Sequence, residues 1–356
     1  MKKWVARFTI AFFFVLCVSP LTNFAQRISI AKGTVQRIKV HSKLLEGNLS
    51  GDSADRYVSI YLPASYKTNP TKHYPVVYFL HGYTDDDAKF YGFKKHWMVL
   101  PPILDTVFAE GRANEMIVVT PDAYTRFQGS MYSNSVTTGD WEDFVSKELV
   151  AYIDSHYRTI AKKESRGLCG HSMGGYGALR IGEKNPDVFS TVYLLSPCCL
   201  NPSSTSFQAI PQNFLRADSI KTMEEFERAD FGTKAAFASA AAWSPNPSQP
   251  PFYIDLPVKD GKLQTMVLEK WNANSPLVTL DQYIYNIKKL KAIGFDAGTK
   301  DVSIAASIKV LDSGLTKYGI PHSFEIYEGN HTDHVAQRIE KRMLEFFSKN
   351  LSTASK

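Results

Sequence analysis

From residue 75 onward, short apolar runs alternate with longer stretches of helical periodicity, and this alternation is the strongest constraint on the fold. The first run, VVYFL at 76–80, is apolar at every position, which is typical of a strand buried on both faces. A chain that alternates such strands with helices buries its apolar faces as a mostly parallel sheet covered on both sides. The sequence therefore predicts a three-layer α/β/α fold.

The same periodicities place the other elements. Alternating segments rich in Val, Ile and Tyr at 34–42 and 56–62 predict antiparallel strands that open the sheet. Further strands are predicted at 116–120, 166–170, 188–195, 291–298 and 323–327. Helices are predicted at 98–110, 141–157, 174–185, 304–318 and 334–348.

Residues 197–276 interrupt this rhythm. They contain the segments NPSSTS and WSPNPSQPP and only two short helical patterns, at 223–228 and 234–242. We predict an insertion that covers the carboxyl ends of the strands. A series of surface loops without a functional role is the alternative.

The amino terminus predicts a signal peptide, residues 1–25. Basic residues precede an apolar run at 8–18, and a polar stretch follows and ends at Ala25. The run is shorter than the roughly 20 residues of a membrane helix, so a permanent anchor is the weaker alternative. We expect cleavage after Ala25 and a secreted or periplasmic protein, residues 26–356, without stable membrane insertion.

The charge distribution argues against a nucleic-acid partner. The formal net charge is +6, but the Lys and Arg residues are scattered along the chain. A nucleic-acid groove needs a basic stripe interleaved with exposed aromatic residues, and no such stripe occurs. We interpret the charge as a mildly cationic surface.

The segment GHSMG at 170–174 lies at the end of a predicted strand and at the start of an Ala- and Gly-rich helix. It matches G-x-S-x-G, in which a sharp turn lifts the serine oxygen clear of the sheet. Side chains in place of Gly170 or Gly174 would collide with the neighbouring strand and helix in so tight a turn. The context indicates that Ser172 is a nucleophile.

The same turn predicts half of an oxyanion hole. The backbone N–H of Met173 lies at a helix amino end, where unpaired donors favour negative charge. The loop after the strand at 76–80 contains Gly82, and the N–H of Tyr83 is the predicted second donor. The acidic run at 85–87 lacks the glycine and glutamate spacing of a calcium site, so we predict a solvated turn and no metal.

A serine nucleophile needs a histidine base and an acid. In such folds the three residues follow one another along the chain in the order serine, acid, histidine. His331 comes after the last predicted strand, and we favour it over His334, which begins the final predicted helix. Asp301, in the loop after the preceding strand, is favoured over Asp296, which falls inside the strand pattern. The acid would hold one tautomer of the imidazole.

Two histidines flank the predicted nucleophile and its oxyanion loop. His81 and His171 lie beside glycine turns, and we predict structural hydrogen bonding for both. Removal of the leader leaves Cys169, Cys198 and Cys199, an odd number that allows one bridge at most. A disulfide between Cys169 and either Cys198 or Cys199 is possible. We favour free thiols, small and buried near the site, over a disulfide.

Most of the mature chain resembles the esterase family that contains esterase D, secreted feruloyl and acetylxylan esterases, and mycolyltransferases. The resemblance rests on YLP at 61–63, YPVVYFLHG at 74–82, WEDF at 141–144, GHSMGGYGA at 170–178, PDVFS at 186–190 and GNH at 329–331. It implies an α/β-hydrolase fold without cofactor, and a triad of Ser172, Asp301 and His331. Asn330 replaces the glycine that many members carry before the histidine.

The resemblance and the predicted export together imply a serine esterase that acts through an acyl-enzyme on feruloyl or acetyl esters of polysaccharides. Trp141 and Tyr132 are predicted to line the substrate site. An acyltransferase that uses a sugar hydroxyl as acceptor and a non-catalytic binding module are the alternatives. The sequence does not distinguish the feruloyl from the acetyl group.

Overall fold

The computed structural model describes residues 1, 4, 31–202 and 209–354. The chain divides into two units, residues 1–30 and 31–356, and only Met1 and Trp4 of the first are described. The predicted signal peptide thus lies outside the described residues, apart from these two, and stays a prediction. In the described part, no helix has the length and apolar character needed to cross a membrane.

The second unit contains strands β1 to β12 and helices α1 to α14 within its described ranges. The strands are β1 Thr34–His41, β2 Asp55–Leu62, β3 Val76–Leu80, β4 Ile117–Pro121, β5 Asn134–Ser135, β6 Gly139–Asp140, β7 Arg166–His171, β8 Thr191–Leu195, β9 Val258–Lys259, β10 Lys262–Leu263, β11 Ala292–Gly298 and β12 Ser323–Tyr327. The helices are α1 Ser65–Thr68, α2 Asp87–Phe90, α3 Leu100–Ala109, α4 Trp141–Asp143, α5 Val150–His156, α6 Met173–Lys184, α7 Gln212–Ser219, α8 Met223–Arg228, α9 Phe231–Trp243, α10 Thr265–Asn272, α11 Pro276–Ile287, α12 Val302–Lys317, α13 Val335–Arg338 and α14 Leu344–Asn350. Wider π-helical turns, Phe144–Leu149 and Ile339–Met343, join α4 to α5 and α13 to α14.

Among the described residues, eight strands form one sheet in the order β1-β2-β4-β3-β7-β8-β11-β12. Strand β2 is antiparallel to β1 and to β4, and the remaining neighbours are parallel. The predicted α/β fold, with a mostly parallel sheet and antiparallel strands at its start, is confirmed. The carboxyl ends of β3, β7, β11 and β12 consequently meet at one edge.

Strand β3 shows why the sheet needs helices on both faces. Val76, Tyr78 and Leu80 belong to one apolar cluster, whereas Val77 and Phe79 belong to a second cluster. All five side chains are buried. Because successive side chains of a strand point to opposite faces, the two clusters are the two cores of a three-layer fold.

The segment between β8 and β11 contains α7 to α11 in its described residues, more helix than the sequence indicated. The pattern at 223–228 coincides with α8, and the pattern at 234–242 lies inside α9. The sequence reading missed α7, α10 and α11. Of these three, α7 begins directly after Pro211 and α11 begins at Pro276, and proline is common in the first turn of a helix.

The acidic run at 85–87 is not the solvated turn predicted from the sequence. Asp87 is buried and accepts hydrogen bonds from Arg37 and from the Ser59 hydroxyl. Asp86 caps α2 by accepting the backbone N–H of Lys89. Asp87 thereby holds the loop after β3 against the first two strands, a long-range pairing that the local sequence does not reveal.

A buried charge network attaches the last helices to the sheet. Asp296 of β11 is fully buried, and its Oδ2 accepts the Arg338 Nε–H at 2.9 Å and the Tyr193 hydroxyl at 2.7 Å. Arg338 also forms two hydrogen bonds to Glu325, both 2.8 Å long. Burial raises the pKa of Asp296, and the guanidinium opposes that rise. The aspartate is therefore a structural partner of Arg338.

Replacing Arg338 with Met should destabilise the fold strongly, because it leaves the Asp296 carboxylate buried without its cation. We expect the free energy of unfolding to fall by about 3–5 kcal/mol, measured by urea denaturation. Arg342→Met is the matched control, since Arg342 contacts the same Glu325 from a half-exposed position. It should cost about 1 kcal/mol or less. Equal losses in the two variants would contradict the assignment.

Candidate active site

Ser172 occupies the sharp turn between β7 and α6. Its backbone has φ 57° and ψ −114°, a strained combination for a residue with a side chain. Its N–H donates to the carbonyl oxygen of Leu195 at 3.0 Å, which ties the turn to the end of β8. This geometry is that of a strand-to-helix turn that presents a serine at the carboxyl edge of the sheet.

The two motif glycines allow this turn for steric reasons. A Cβ on Gly174 would lie 1.9 Å from the carbonyl oxygen of Leu80, and a Cβ on Gly170 would lie 2.3 Å from the backbone of Gly174. Both distances are far below any van der Waals contact, and both partners are backbone atoms. The predicted collision with the neighbouring strand and helix is confirmed.

The structure brings His331 and Asp301 together. His331 follows β12, Asp301 follows β11, and the His331 Nδ1 lies 2.5 Å from the Asp301 Oδ2. Asp301 thereby occupies one ring nitrogen and leaves Nε2 for proton exchange. Both side chains line the same cavity as Ser172. No hydrogen bond joins Ser172 to His331 among the described residues, and such bonds often tighten only when substrate is bound.

The alternative acid and base lie elsewhere. The Asp296 carboxylate is engaged by Arg338 inside the protein. His334 is the residue before α13, and its ring packs edge-on against Tyr327 with the ring centroids 5.9 Å apart. Neither residue lines the cavity that contains Ser172. The structure thus places the favoured pair, and not the alternatives, beside the serine.

The cavity at Ser172 has a volume of about 290 Å³ and a mainly apolar wall. Helix α9 of the segment between β8 and β11 forms part of that wall. The rings of Tyr83 and Phe231 meet edge-to-face with their centroids 5.5 Å apart. The other apolar residues of the wall are Met131, Met173, Ala235, Ala238 and Ile304.

The two predicted oxyanion donors flank the cavity. Met173 is the first residue of α6, so its N–H belongs to the unpaired donors of a helix start. Tyr83 lies in the loop after β3, where its hydroxyl donates to the Phe127 carbonyl at 3.1 Å. Within the described chain, neither backbone N–H donates a hydrogen bond to protein. Both donors remain available to a ligand.

The structure corrects the prediction that Trp141 and Tyr132 line the substrate site. Both side chains are buried in the core and neither reaches the cavity. The Trp141 Nε1–H donates to the Thr138 carbonyl at 2.8 Å. The Tyr132 hydroxyl donates to the His81 carbonyl at 3.1 Å, so Tyr132 supports the loop after β3 from beneath. The aromatic character of a residue does not by itself show whether it lies in the core or lines the substrate site.

The sequence reading missed the wall residues of α9. Phe231, Ala235 and Ala238 belong to the segment between β8 and β11, where no motif marks a side chain that lines the Ser172 cavity. The cysteines were expected near the site as buried thiols. Cys169 is buried, but Cys198 is half-buried and Cys199 is exposed, and all three are free. The position of Cys198 and Cys199 after β8 could have indicated the cavity, because that strand ends at the edge where Ser172 lies.

Comparison with known proteins identifies the family. A family model described as "Putative esterase" matches residues 53–337, most of the chain. The chain belongs to this esterase family. Esterase Rv1288 of Mycobacterium tuberculosis is 32% identical over 129 residues, which make up 36% of this chain and 26% of that protein.

Another relative is the endo-1,4-beta-xylanase/feruloyl esterase of Xylanibacter ruminicola. It is 26% identical over 179 residues, 49% of this chain and 23% of that protein. The matched part therefore spans about a quarter of the length of both curated relatives.

Solved structures show the same fold. A ferulic acid esterase superposes with a TM-score of 0.62 at 22% identity, over 90% of this chain and 99% of that chain. A ferulic acid esterase from Anaeromyces mucronatus, determined in complex with ferulic acid, superposes with a TM-score of 0.55 at 19% identity, over 94% and 97% of the two chains. At these identities the likeness concerns the fold of this esterase-family protein.

The loop that carries His331 is held from two sides in this esterase-family protein. The side-chain oxygen of Asn330 accepts the backbone N–H groups of Thr332 and Asp333, at 2.9 and 3.0 Å. The His171 Nε2 lies 2.9 Å from the carbonyl oxygen of His331, and the two rings are 4.8 Å apart. Asn330, the departure from the usual glycine, therefore stabilises the loop.

His171 is a neutral imidazole that donates from Nε2, because a carbonyl can only accept. Burial lowers its pKa to about 4, and the nearby His331 acts in the same direction. Its Nδ1 has no hydrogen-bond partner among the described residues. The prediction of structural hydrogen bonding is confirmed for His171, and for His81, whose Nε2 accepts the N–H of Ala123 at 2.8 Å.

His171 should make the fold sensitive to mild acid. Its pKa is about 4 in the folded state and about 6.5 in an unfolded chain. Between these values the unfolded chain binds more protons, so the free energy of unfolding falls as the pH is lowered. His171→Gln keeps an N–H donor that does not titrate. Between about pH 7 and about pH 4.5, the free energy of unfolding should fall by about 2 kcal/mol less in this variant than in the native protein, measured by urea denaturation.

The solvent-exposed His73 provides the control for this measurement. In His73→Gln, the free energy of unfolding should fall between the two pH values by as much as it does in the native protein. An unaltered difference in His171→Gln would show that His171 is not the buried titrating group.

Proposed function

We propose that this protein hydrolyses carboxylic esters through an acyl-enzyme on Ser172. The observation that carries the proposal is the convergence of Ser172, Asp301 and His331 on one cavity, with Asp301 bonded to the Nδ1 of His331. Membership of the esterase family supports the same reaction class. These three polar groups come from three separate strand ends.

The chemistry follows from the positions of the groups. The Ser172 Oγ attacks the ester carbonyl while the His331 Nε2 takes its proton, and Asp301 stabilises the imidazolium that forms. The backbone N–H groups of Met173 and Tyr83 stabilise the negative charge on the carbonyl oxygen. The imidazolium then protonates the leaving alcohol. A water molecule, activated by the same histidine, releases the acid and restores Ser172.

The cavity favours an aromatic acyl group over acetyl. Its volume of about 290 Å³ lies just below the range of about 300–1,000 Å³ for small-molecule sites. An acetyl group would leave most of the apolar wall uncovered. A planar phenylpropenoyl group would contact the rings of Tyr83 and Phe231. We therefore propose feruloyl-type esters of polysaccharide hydroxyls as substrates.

The similar proteins and the amino terminus agree with this assignment. The fold matches ferulic acid esterases, and a curated relative is named a xylanase/feruloyl esterase. Polysaccharides lie outside the cell, so we propose that residues 1–25 export the protein and are removed after Ala25.

The triad assignment is tested by alanine variants assayed on nitrophenyl esters. Ser172→Ala and His331→Ala should each lower kcat/KM by about 10³-fold or more, because the nucleophile or its base is lost. Circular dichroism should show that both variants fold. His334→Ala is the control and should retain most activity, because His334 does not line the cavity. An active His331→Ala variant would refute the assignment.

The acyl preference is tested at Phe231, a cavity residue that is 66% exposed. Phe231→Ala should lower kcat/KM for a feruloyl ester by about 2- to 10-fold, because a ring contact is lost. It should leave kcat/KM for the matching acetyl ester nearly unchanged. Tyr285→Ala removes an exposed ring of α11 that does not line the cavity, so it should alter neither value. Equal losses on the two esters would contradict an aromatic acyl pocket.

A further inference from the structure

The wall of the Ser172 cavity contains two adjacent thiols that the ester chemistry does not use. Cys198 and Cys199 follow β8, and their sulfur atoms lie 2.7 Å apart. Cys199 is exposed and Cys198 is half-buried, so a small reagent in the cavity can reach both. Cys169, the other described cysteine, is fully buried in β7.

The thiol pair is connected directly to the nucleophile. The backbone N–H of Cys198 donates to the carbonyl oxygen of Ser172 at 3.1 Å. The N–H of Ser172 in turn donates to Leu195, three residues before Cys198. The short segment 195–198 therefore braces the strained turn at Ser172 on both sides. A group attached to the pair would lie in the cavity that Ser172 also lines.

The pair suits a bridging atom better than a direct disulfide. Adjacent Cα atoms are about 3.8 Å apart, whereas disulfides usually join Cα atoms about 4.4–6.8 Å apart. A disulfide would therefore require the backbone at Cys198 to move. An atom that bonds to both sulfurs joins the pair without a direct S–S bond. Soft sulfur ligands select soft, thiophilic centres.

We propose that Cys198 and Cys199 form a dithiol site for trivalent arsenicals, and that occupancy blocks the catalytic cavity. In the reaction an organoarsenic(III) oxide loses its oxygen as water, which carries away both thiol protons. Two S–H bonds and the arsenic–oxygen bond break, and two As–S bonds form without a change of oxidation state. The hydrogen bond from Cys199 raises the pKa of Cys198, so Cys198 is present as a thiol. The proposed inhibition rests on the proposed esterase function, whereas the proposed binding of the arsenical does not.

The experiment uses phenylarsine oxide as the probe and the native protein with three variants, Cys198→Ser, Cys199→Ser and Cys169→Ser. Intact mass spectrometry measures the adduct, and nitrophenyl ester hydrolysis is compared with that of the same variant without probe. We expect one arsenical per native chain and a loss of activity in proportion to the adduct. A small dithiol should reverse both effects, whereas a monothiol should not.

The variants separate the pair from the remaining cysteines. Cys198→Ser and Cys199→Ser should each lose the stable adduct, and Cys169→Ser should bind and be inhibited like the native protein. An adduct that survives in either single variant, or no adduct on the native protein, would overturn the site. An adduct that leaves turnover unaltered would overturn the link to Ser172. A native protein without esterase activity would refute the proposed function, while the mass measurement would still decide the site.

Discussion

The close approach of α6 to the end of β3 determines the geometry of the whole site. Gly174 lies so near the Leu80 carbonyl that no side chain fits between them. This approach places the amino end of α6 directly at the carboxyl edge of the sheet, with the Met173 N–H pointing away from the helix. The same contact positions the loop after β3, which contains Tyr83. The strained φ of Ser172 is the conformational cost of this packing.

Charge is distributed differently at the edge of the sheet and inside it. Asp296 and Asp301 come from the same strand end, five positions apart. Asp296 is fully buried and compensated by Arg338, whereas the Asp301 side chain is 13% exposed and faces an imidazole. Burying the Asp296 carboxylate without a cation would destabilise the fold strongly. The carboxylate inside the strand, Asp296, therefore forms a structural ion pair. The carboxylate in the loop, Asp301, is free to stabilise a transient imidazolium.

The segment between β8 and β11 supplies what the sheet cannot. The parallel strands bring the polar groups together, but they provide no wall deep enough to hold an acyl group. Helix α9 provides that wall with Phe231 and two alanines, and the thiol pair after β8 completes it. The polar centre thus depends on the parallel strands, and the shape of the cavity depends on the segment between β8 and β11. The proposed acyl pocket and the proposed dithiol site accordingly share one surface.

The sequence by itself determined the layer architecture and the strand-to-helix turn at Ser172, and it favoured Asp301 and His331 as the proposed acid and base. Each of these depends on periodicity or on the chain order of strand ends, which are local or topological properties. The sequence did not determine the helices of the insertion, the pairing of the acidic run at 85–87, or the burial of Trp141 and Tyr132. Only the tertiary structure decided these, because they depend on contacts between segments far apart in the chain. A tyrosine or an aspartate has the same local pattern whether a distant segment covers it or a cavity exposes it.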